Sequence, residues 1–400
     1  MFPDTQKVTR DESKVHNRRL ALKLIYAQEA ISRADIARAT GLTRTTASAA
    51  VTDLIEAGLV EEMGQGPSGG GKPPTLVQLV PDARHIIAID LSGTVFRGAV
   101  VDLRGNIVAC ATSQPAEGSD PHNLGPVWML IDSLLAATDR PVLGIGVGLP
   151  GLLDTVNGVV LQAVNRRWRN LPLKDLMSQR YSVPICLAND SQAAALSEVT
   201  FDNPSGVRDL AVILIDQGIS AGIVIDGRVY QGSNHLGASE IGHIRVVEGG
   251  ELCACGHFGC LETVAGRAAL LRRAETIYAN QPGSLLRKLV RTADEIDLAL
   301  IVQAYKEGDR AAAKLIAQVS RYLSIAVANL VCTLNISHIV LAGSVPELGE
   351  ALLEPLSAEL RERVLPELAE RTALKISTQA AGLVRRGAAA LVIAQELGAI

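Results

Sequence analysis

Two stretches of the chain repeat one pattern, and this repeat limits the possible folds more than any other feature. Residues 86–108 read IIAIDLSGTVFRGAVVDLRGNIV, and residues 210–231 read LAVILIDQGISAGIVIDGRVYQ. Each is a buried apolar strand ending in Asp, a Gly-containing turn, and a second strand. Helical stretches follow each copy, such as VWMLIDSLLAAT after the first. The turn at Ser92–Gly93 and a second at Arg104–Gly105–Asn106 bound the strands of the first copy. A duplicated α/β lobe of this kind closes around a cleft, and such clefts hold ligands.

Composition fits that frame. The chain has 400 residues, too long for one ordinary domain. Its 48% hydrophobic content with 20% charge is globular, and 3% aromatics means a core of Leu, Val, Ile and Ala. The formal net charge of −4 argues against a protein that coats nucleic acid over its whole surface. Residues 1–85 carry 11 Lys/Arg against 10 Asp/Glu, and the remainder 27 against 32, so charge alone assigns no partner. The start MFPDTQKVTRDESK lacks the apolar segment of a secretory signal. Residues 322–345 form the longest uncharged stretch, but Asn329, Thr333, Asn335, Ser337 and His338 interrupt it. They read as a helix, a link at 335–337 and a buried strand, so no membrane span is expected. A cytoplasmic protein with reduced thiols follows.

Residues 14–63 have a different character. NRRLALKLIYAQ is expected to place Leu20, Leu24 and Ile25, with Ala27 nearby, on one helical stripe. Ser32, with Asp35 three residues later, reads as a capped start for RADIARAT. Gly41 ends that helix and Thr43 opens the next, in which Ala47, Val51 and Leu54 share a face. Two short helices around a tight turn are a helix-turn-helix. LVEEMG and TLVQLV, joined by a Gly/Pro-rich loop, then form a hairpin wing. An ordinary helical bundle with a linker is the bland alternative. Hydroxyls and arginines reach phosphates and base edges, so the DNA-binding candidates are Arg33, Thr43, Arg44, Thr45, Thr46, Ser48 and Lys72.

Cysteine is scarce and clustered. Cys253, Cys255 and Cys260 fall within ELCACGHFGCLE, while Cys110, Cys186 and Cys332 lie in apolar runs and read as buried small residues. A redox pair would need C-x-x-C near a helix start, which this segment lacks. A zinc site needs four N or S ligands, so three thiols leave one to be found. The spacing C-x-C-x4-C is not the common knuckle spacing, and alone it supports zinc only in part.

The Asp90-x-x-Gly93-Thr94 turn, the pair Asn189–Asp190, EIGH at 240–243 and CACGHFGCLE together resemble the ROK family of repressors, open reading frames and sugar kinases. The resemblance covers residues 14–400 and is most specific over 237–262. It implies an actin-like (ribonuclease H-like) pair of α/β lobes around a sugar cleft, with a structural zinc loop. With the N-terminal winged helix-turn-helix, the chain is similar to the regulator branch. The implied domains are 1–82 for DNA binding, 83–198 for the first lobe and 199–380 for the second, with a helix at 381–400 packing back on the first.

The resemblance also implies residue roles. His243 completes a zinc set with Cys253, Cys255 and Cys260, and His257 corresponds to a variable position outside it. Asn189, Asp190, Glu240, His243, Glu262 and Asn165 are the implied sugar contacts, with Trp168 near the entrance. Carboxylates and amides suit hydroxyls that both donate and accept. His243 can hold the metal through one ring nitrogen and a sugar hydroxyl through the other. Asp190 corresponds to the kinases' catalytic base, and it could alternatively cap the helix DSQAAALSEV.

Kinases of the family read Asp-x-Gly-Gly-Thr-Lys at the first turn and Gly-Thr-Gly-x-Gly-Gly-Gly at the second. This chain has Ser92 and Val95 in the first, and Asp216-Gln-Gly-Ile-Ser-Ala-Gly in the second, with Ala342–Gly343 for a late glycine pair. A carboxylate and side chains replace the glycines that should cradle phosphate. The expectation is a non-enzymatic, sugar-responsive repressor acting as a homodimer or homotetramer on operator DNA. The alternatives are an ATP-dependent sugar kinase with an appended DNA-binding domain, and a regulator answering to a partner protein.

Overall fold

The computed structural model describes residues 9–67, 73–114, 123–203, 205–233, 236 and 240–400, apart from the side chain of Asn165. Helix α1 (Arg10–Ala27) opens on a capping box in which Thr9 and Glu12 exchange backbone and side-chain hydrogen bonds. Its buried stripe is Ala21, Leu22, Ile25 and Tyr26; of the expected set Ile25 is buried, but Leu20 and Leu24 are half-buried and Ala27 is exposed. Tyr26 sets this rotation, because its hydroxyl donates to the Leu103 carbonyl at 2.8 Å in a buried position.

Helix α2 (Arg33–Thr40) is capped by Ser32 and stops at Gly41, whose φ of 71° is the left-handed conformation glycine adopts readily. Helix α3 (Arg44–Glu56) is capped by Thr43 and buries Ala47, Ala50, Val51 and Leu54. The wing is a three-stranded sheet of β1 (Ile31–Ser32), β2 (Val60–Gln65) and β3 (Thr75–Leu79), in the order β1-β3-β2.

The two lobes share one sheet plan. In the first, His85–Asp90 pairs antiparallel with Phe96–Val101, which pairs with Ile107–Ser113; on its other side run Val142–Leu149 and Ile185–Asn189, both parallel. In the second, Leu210–Ile215 takes the place of His85–Asp90. Ile219–Ile225 and Arg228–Val229 lie antiparallel on one side, with His338–Ala342 and Ala373–Ile376 parallel on the other. The repeated strand–turn–strand pattern is therefore the central and adjacent strand of each sheet.

Helix Asp190–Phe201 joins the lobes and packs on helix Leu383–Val392. The approach is close enough that a Cβ on Gly387 would sit 1.7 Å from the Ala193 carbonyl oxygen, so only glycine fits. Helix Leu383–Val392 also lies against the first-lobe strands His85–Asp90 and Val142–Leu149. Helix Arg310–Leu334, long and apolar enough to cross a bilayer, instead supplies much of the second lobe's core. It ends at Asn335 with φ 54° and returns as the strand His338–Ala342, through the link expected at 335–337.

One hydrophobic cluster crosses from the DNA-binding unit into the first lobe, joining Ile25, Ile36 and Val51 to Ile86, Leu103 and Val392. The unit is thus welded to the lobe by shared core, not tethered by a linker. Two of the three isolated cysteines differ from expectation. Cys186 is buried, but Cys110 and Cys332 are exposed. Cys110 sits on an outward position of the edge strand Ile107–Ser113, and Cys332 on the protruding last turn of Arg310–Leu334.

Candidate functional site

A cavity of about 380 Å3 opens between the lobes. Asp190, at the first turn of the joining helix, enters from below, and Asp216 from the end of the second lobe's central strand. Glu240, His243 and Glu262 come from the segment that carries the cysteines, and Ser92 and Gln162 from the first lobe. Four carboxylates line this cavity, with no Lys or Arg among its described lining.

Burial dominates their electrostatics. The carboxyl of Asp190 is pushed up to about 7 by burial and by the nearby Asp90, against donation from the Ser191 amide and the Ser220 hydroxyl. Burial also raises Glu240, with His243 pulling the other way and Glu262 adding repulsion. Glu262 is raised by burial too, opposed by the Ile219 amide, which donates to Oε2 at 3.3 Å. Asp90 is raised by burial although Ser92 donates to it twice.

Asn189 serves the scaffold. Its Oδ1 accepts from the Ser191 amide at 2.9 Å and hydroxyl at 2.6 Å, and its Nδ2 donates to the Gly151 carbonyl at 3.1 Å. Asn189, not Asp190, therefore caps the joining helix, and that frees Asp190 to face the cavity. Asn165 lies in the short turn Val164–Arg166, its side chain outside the described ones. Trp168 is 3% exposed within the first lobe's core, not at an entrance.

The second kinase-loop substitution has a defined place. The Ser344 hydroxyl donates to Asp216 Oδ1 at 2.7 Å, fixing that carboxylate at the cavity wall. Ser220 turns its hydroxyl to Asp190 Oδ1 at 3.4 Å. Both side chains occupy space where glycine would leave backbone bare.

Next to the cavity, one ligand atom each of His243, Cys253, Cys255 and Cys260 lies within 4.8 Å of the others, a group positioned to hold a metal ion. His243 Nδ1 faces the cluster, 3.6 Å from Cys253 Sγ. Cys255 Sγ and Cys260 Sγ are 3.7 Å apart. Glycines shape this loop: a Cβ on Gly259, with φ 74°, would meet the Val247 carbonyl oxygen at 1.7 Å. His257, outside the expected metal set, lines the cavity with its Nδ1 3.6 Å from Cys255 Sγ. Gln162 carried no sequence signal as a cavity residue, since it shares no motif with the carboxylates, whereas His257 sits in the motif of Glu262 but was left out of the site.

In the DNA-binding unit, Arg44 and Thr45 are exposed at the start of α3. Thr43 is committed to capping: its Oγ1 accepts from the Thr46 amide at 3.2 Å and contacts the Thr45 and Thr46 hydroxyls. Arg33 is turned inward. It donates to Ser48 Oγ at 3.1 Å and Thr52 Oγ1 at 3.2 Å on α3, and to Glu62 Oε1 at 3.0 Å on β2. It thus clasps the helix to the wing, and takes Ser48 with it. Lys72 lies outside the described residues.

Known proteins agree with this architecture. Residues 86–395 match the ROK family model, and residues 18–68 match the MarR family. The chain is 32% identical over 364 residues to a xylose repressor of Caldicellulosiruptor bescii, covering 87% of this chain and 88% of that one. A solved ROK family transcriptional regulator, described as a homolog of the E. coli MLC protein, superposes with a TM-score of 0.83 at 28% identity, over 97% of this chain and 98% of the other. A ROK glucokinase from Streptomyces griseus, solved with glucose and AMPPNP, superposes at 0.68 with 30% identity, over 76% of this chain and 98% of its own. The likeness thus reaches repressors over nearly the whole length, and a kinase over the lobes. The chain belongs to the ROK family and carries a MarR-type winged helix at its N-terminus.

Proposed function

We propose that this protein is a cytoplasmic, sugar-responsive transcriptional repressor, not an enzyme. The observation that carries this reading is one chain joining a winged helix, through shared core, to a cleft lined by hydroxyl-binding groups. Asp190, Glu240, His243 and Glu262 are the proposed sugar contacts, with Asn189 and Asn165 in support. Arg44, Thr45 and Thr46 present hydroxyls and charge to operator DNA, with Thr43, Arg33 and Ser48 setting the geometry of α3 and Lys72 as a further proposed contact. Two copies on two half-sites, as a dimer or tetramer, follow from helix-turn-helix geometry.

The metal we assign is structural zinc. In a tetrahedral site with ordinary zinc–ligand lengths, S···S edges are about 3.8 Å and S···N edges about 3.6 Å. The 3.7 Å and 3.6 Å separations fit those edges. With Nδ1 on the metal, His243 keeps Nε2 for a sugar hydroxyl, so the metal fixes the ring that reads the ligand.

The cavity's charge narrows the effector to an uncharged saccharide. A sugar phosphate would bring about two negative charges beside four carboxylates, with no Lys or Arg among the described lining of this cavity. The same lining disfavours ATP, which supports a regulator over a kinase. Calorimetry with glucose, xylose and N-acetylglucosamine against their phosphates tests this, alongside a coupled ATP turnover assay. The expected result is binding of a free sugar, none of its phosphate, and no turnover. Turnover would establish the kinase alternative.

A continuous set of contacts offers the route to DNA. The joining helix starts at Asp190 in the cavity and ends at Phe201, under the guanidinium of Arg386 at 5.1 Å. Arg386 also pairs with Asp202 at 2.7 Å and donates to the Gly105 carbonyl at 3.2 Å. In the same turn, Arg104 donates to the Tyr26 carbonyl and stacks on the Tyr26 ring of α1. Sugar that favours one lobe arrangement would shift α1, and with it α3, through this route.

A further inference from the structure

A second and larger cavity, of about 990 Å3, lies where α1, both lobes and the C-terminal helical segment meet. Its charged side chains are Lys23 on α1, Arg104 and Lys174 in the first lobe, and Arg228 in the second, with no Asp or Glu among the described lining. Arg104 is already engaged by α1 carbonyls. Among the described residues, Lys23, Lys174 and Arg228 have no ion-pair partner. Asp202, the acid at the end of the joining helix, is taken by Arg386. Three unmatched cations from three parts of the molecule therefore converge on one space. The wall behind them is apolar, formed by Leu187, Leu196, Val199 and Leu391.

We propose that this cavity binds a small, multiply charged anion, a phosphorylated metabolite of nucleotide size, independently of the sugar in the cleft. A polyanion in this space can take charge-assisted hydrogen bonds from cations that have no acidic partner. The apolar wall receives the uncharged part of such a ligand, and the volume is at the upper end of small-molecule sites. Because the cations come from α1 and from each lobe, occupancy draws the DNA-binding unit and the lobes together. The chain then answers to two ligands of opposite electrostatic preference.

Thermal-shift and calorimetric titrations of the full chain with ATP, fructose 1,6-bisphosphate and pyrophosphate test this. At least one probe is expected to raise the melting temperature saturably. The double variant Lys174→Glu/Arg228→Glu should lose affinity by about tenfold or more for each cation reversed. Unchanged calorimetric binding of free sugar in the cleft would show that the variant is folded. Arg228→Gln alone, at an exposed position, should give an intermediate loss. Binding of none of the three probes would overturn the proposal. So would affinity unchanged in the double variant, or affinity lost on Arg44→Ala instead, which would place the anion on the DNA-binding face.

Discussion

The cleft and the junction cavity differ most in the sign of their charge. Among the described lining residues, the cleft presents Asp190, Asp216, Glu240 and Glu262 without Lys or Arg, while the junction presents Lys23, Arg104, Lys174 and Arg228 without Asp or Glu. Both are lined by residues of the two lobes, so position alone does not distinguish their ligands. Charge does. The group positioned to hold a metal adjoins the acidic cleft, whereas helices, strands and turns line the junction.

Metal removal should break this comparison most sharply. Stripping the ion with a chelator, or replacing Cys260, which is 1% exposed, with Ser, should cost on the order of 5 kcal/mol of stability. Free-sugar binding in the cleft should be lost with it. The junction's response to ATP or fructose 1,6-bisphosphate should survive at temperatures where the lobes remain folded. Parallel thermal melts and calorimetry check both outcomes.

Asp190→Asn sharpens the electrostatic side. The native carboxyl titrates near 7, above the unfolded value near 4. The folded protein therefore holds a proton across that window when the unfolded chain does not, and wild-type stability declines as pH rises through it. The Asn variant escapes this decline, so its advantage should grow from little at pH 4 to on the order of 4 kcal/mol at pH 8. Denaturant titrations at a series of pH values measure it. Sugar affinity should fall at all pH values, by roughly tenfold, as one acceptor is weakened.

Gly105→Ala probes the wiring between cavities and DNA. Gly105 has φ 81°, and an added Cβ would meet the Phe201 ring at 2.8 Å. Stability should fall by about 1–2 kcal/mol. Sugar should bind with unchanged affinity, while its effect on operator affinity shrinks. Arg33→Ala should have the smallest effect, about 1 kcal/mol of stability from the lost clasp to Ser48, Thr52 and Glu62. Operator affinity measured by gel shift should drop with it.

What could be read from sequence follows from how local each feature is. The three cysteines fall within eight residues and were legible as a cluster, whereas His243, ten residues before Cys253, joined them only through the resemblance to the ROK family. The strand–turn–strand repeat was legible because each copy is contiguous and strongly apolar. Arg33 and Ser48 looked alike in sequence to Arg44 and Thr45, because the partners that engage the arginine, Ser48, Thr52 and Glu62, lie 15 to 29 residues away. The stripe of α1 was misjudged by one position because a tyrosine hydroxyl needing Leu103, 77 residues away, fixes the rotation. The junction cavity left no trace, as its lining is scattered from Lys23 to Ile400.

The central claim is that sugar in the acidic cleft changes the grip of α3 on DNA. The most direct test measures operator affinity by anisotropy across a sugar titration, with cleft occupancy followed in parallel by calorimetry. The account predicts that operator affinity changes in step with occupancy and that the matching sugar phosphate does nothing. Full occupancy of the cleft by sugar with operator affinity unchanged would contradict it.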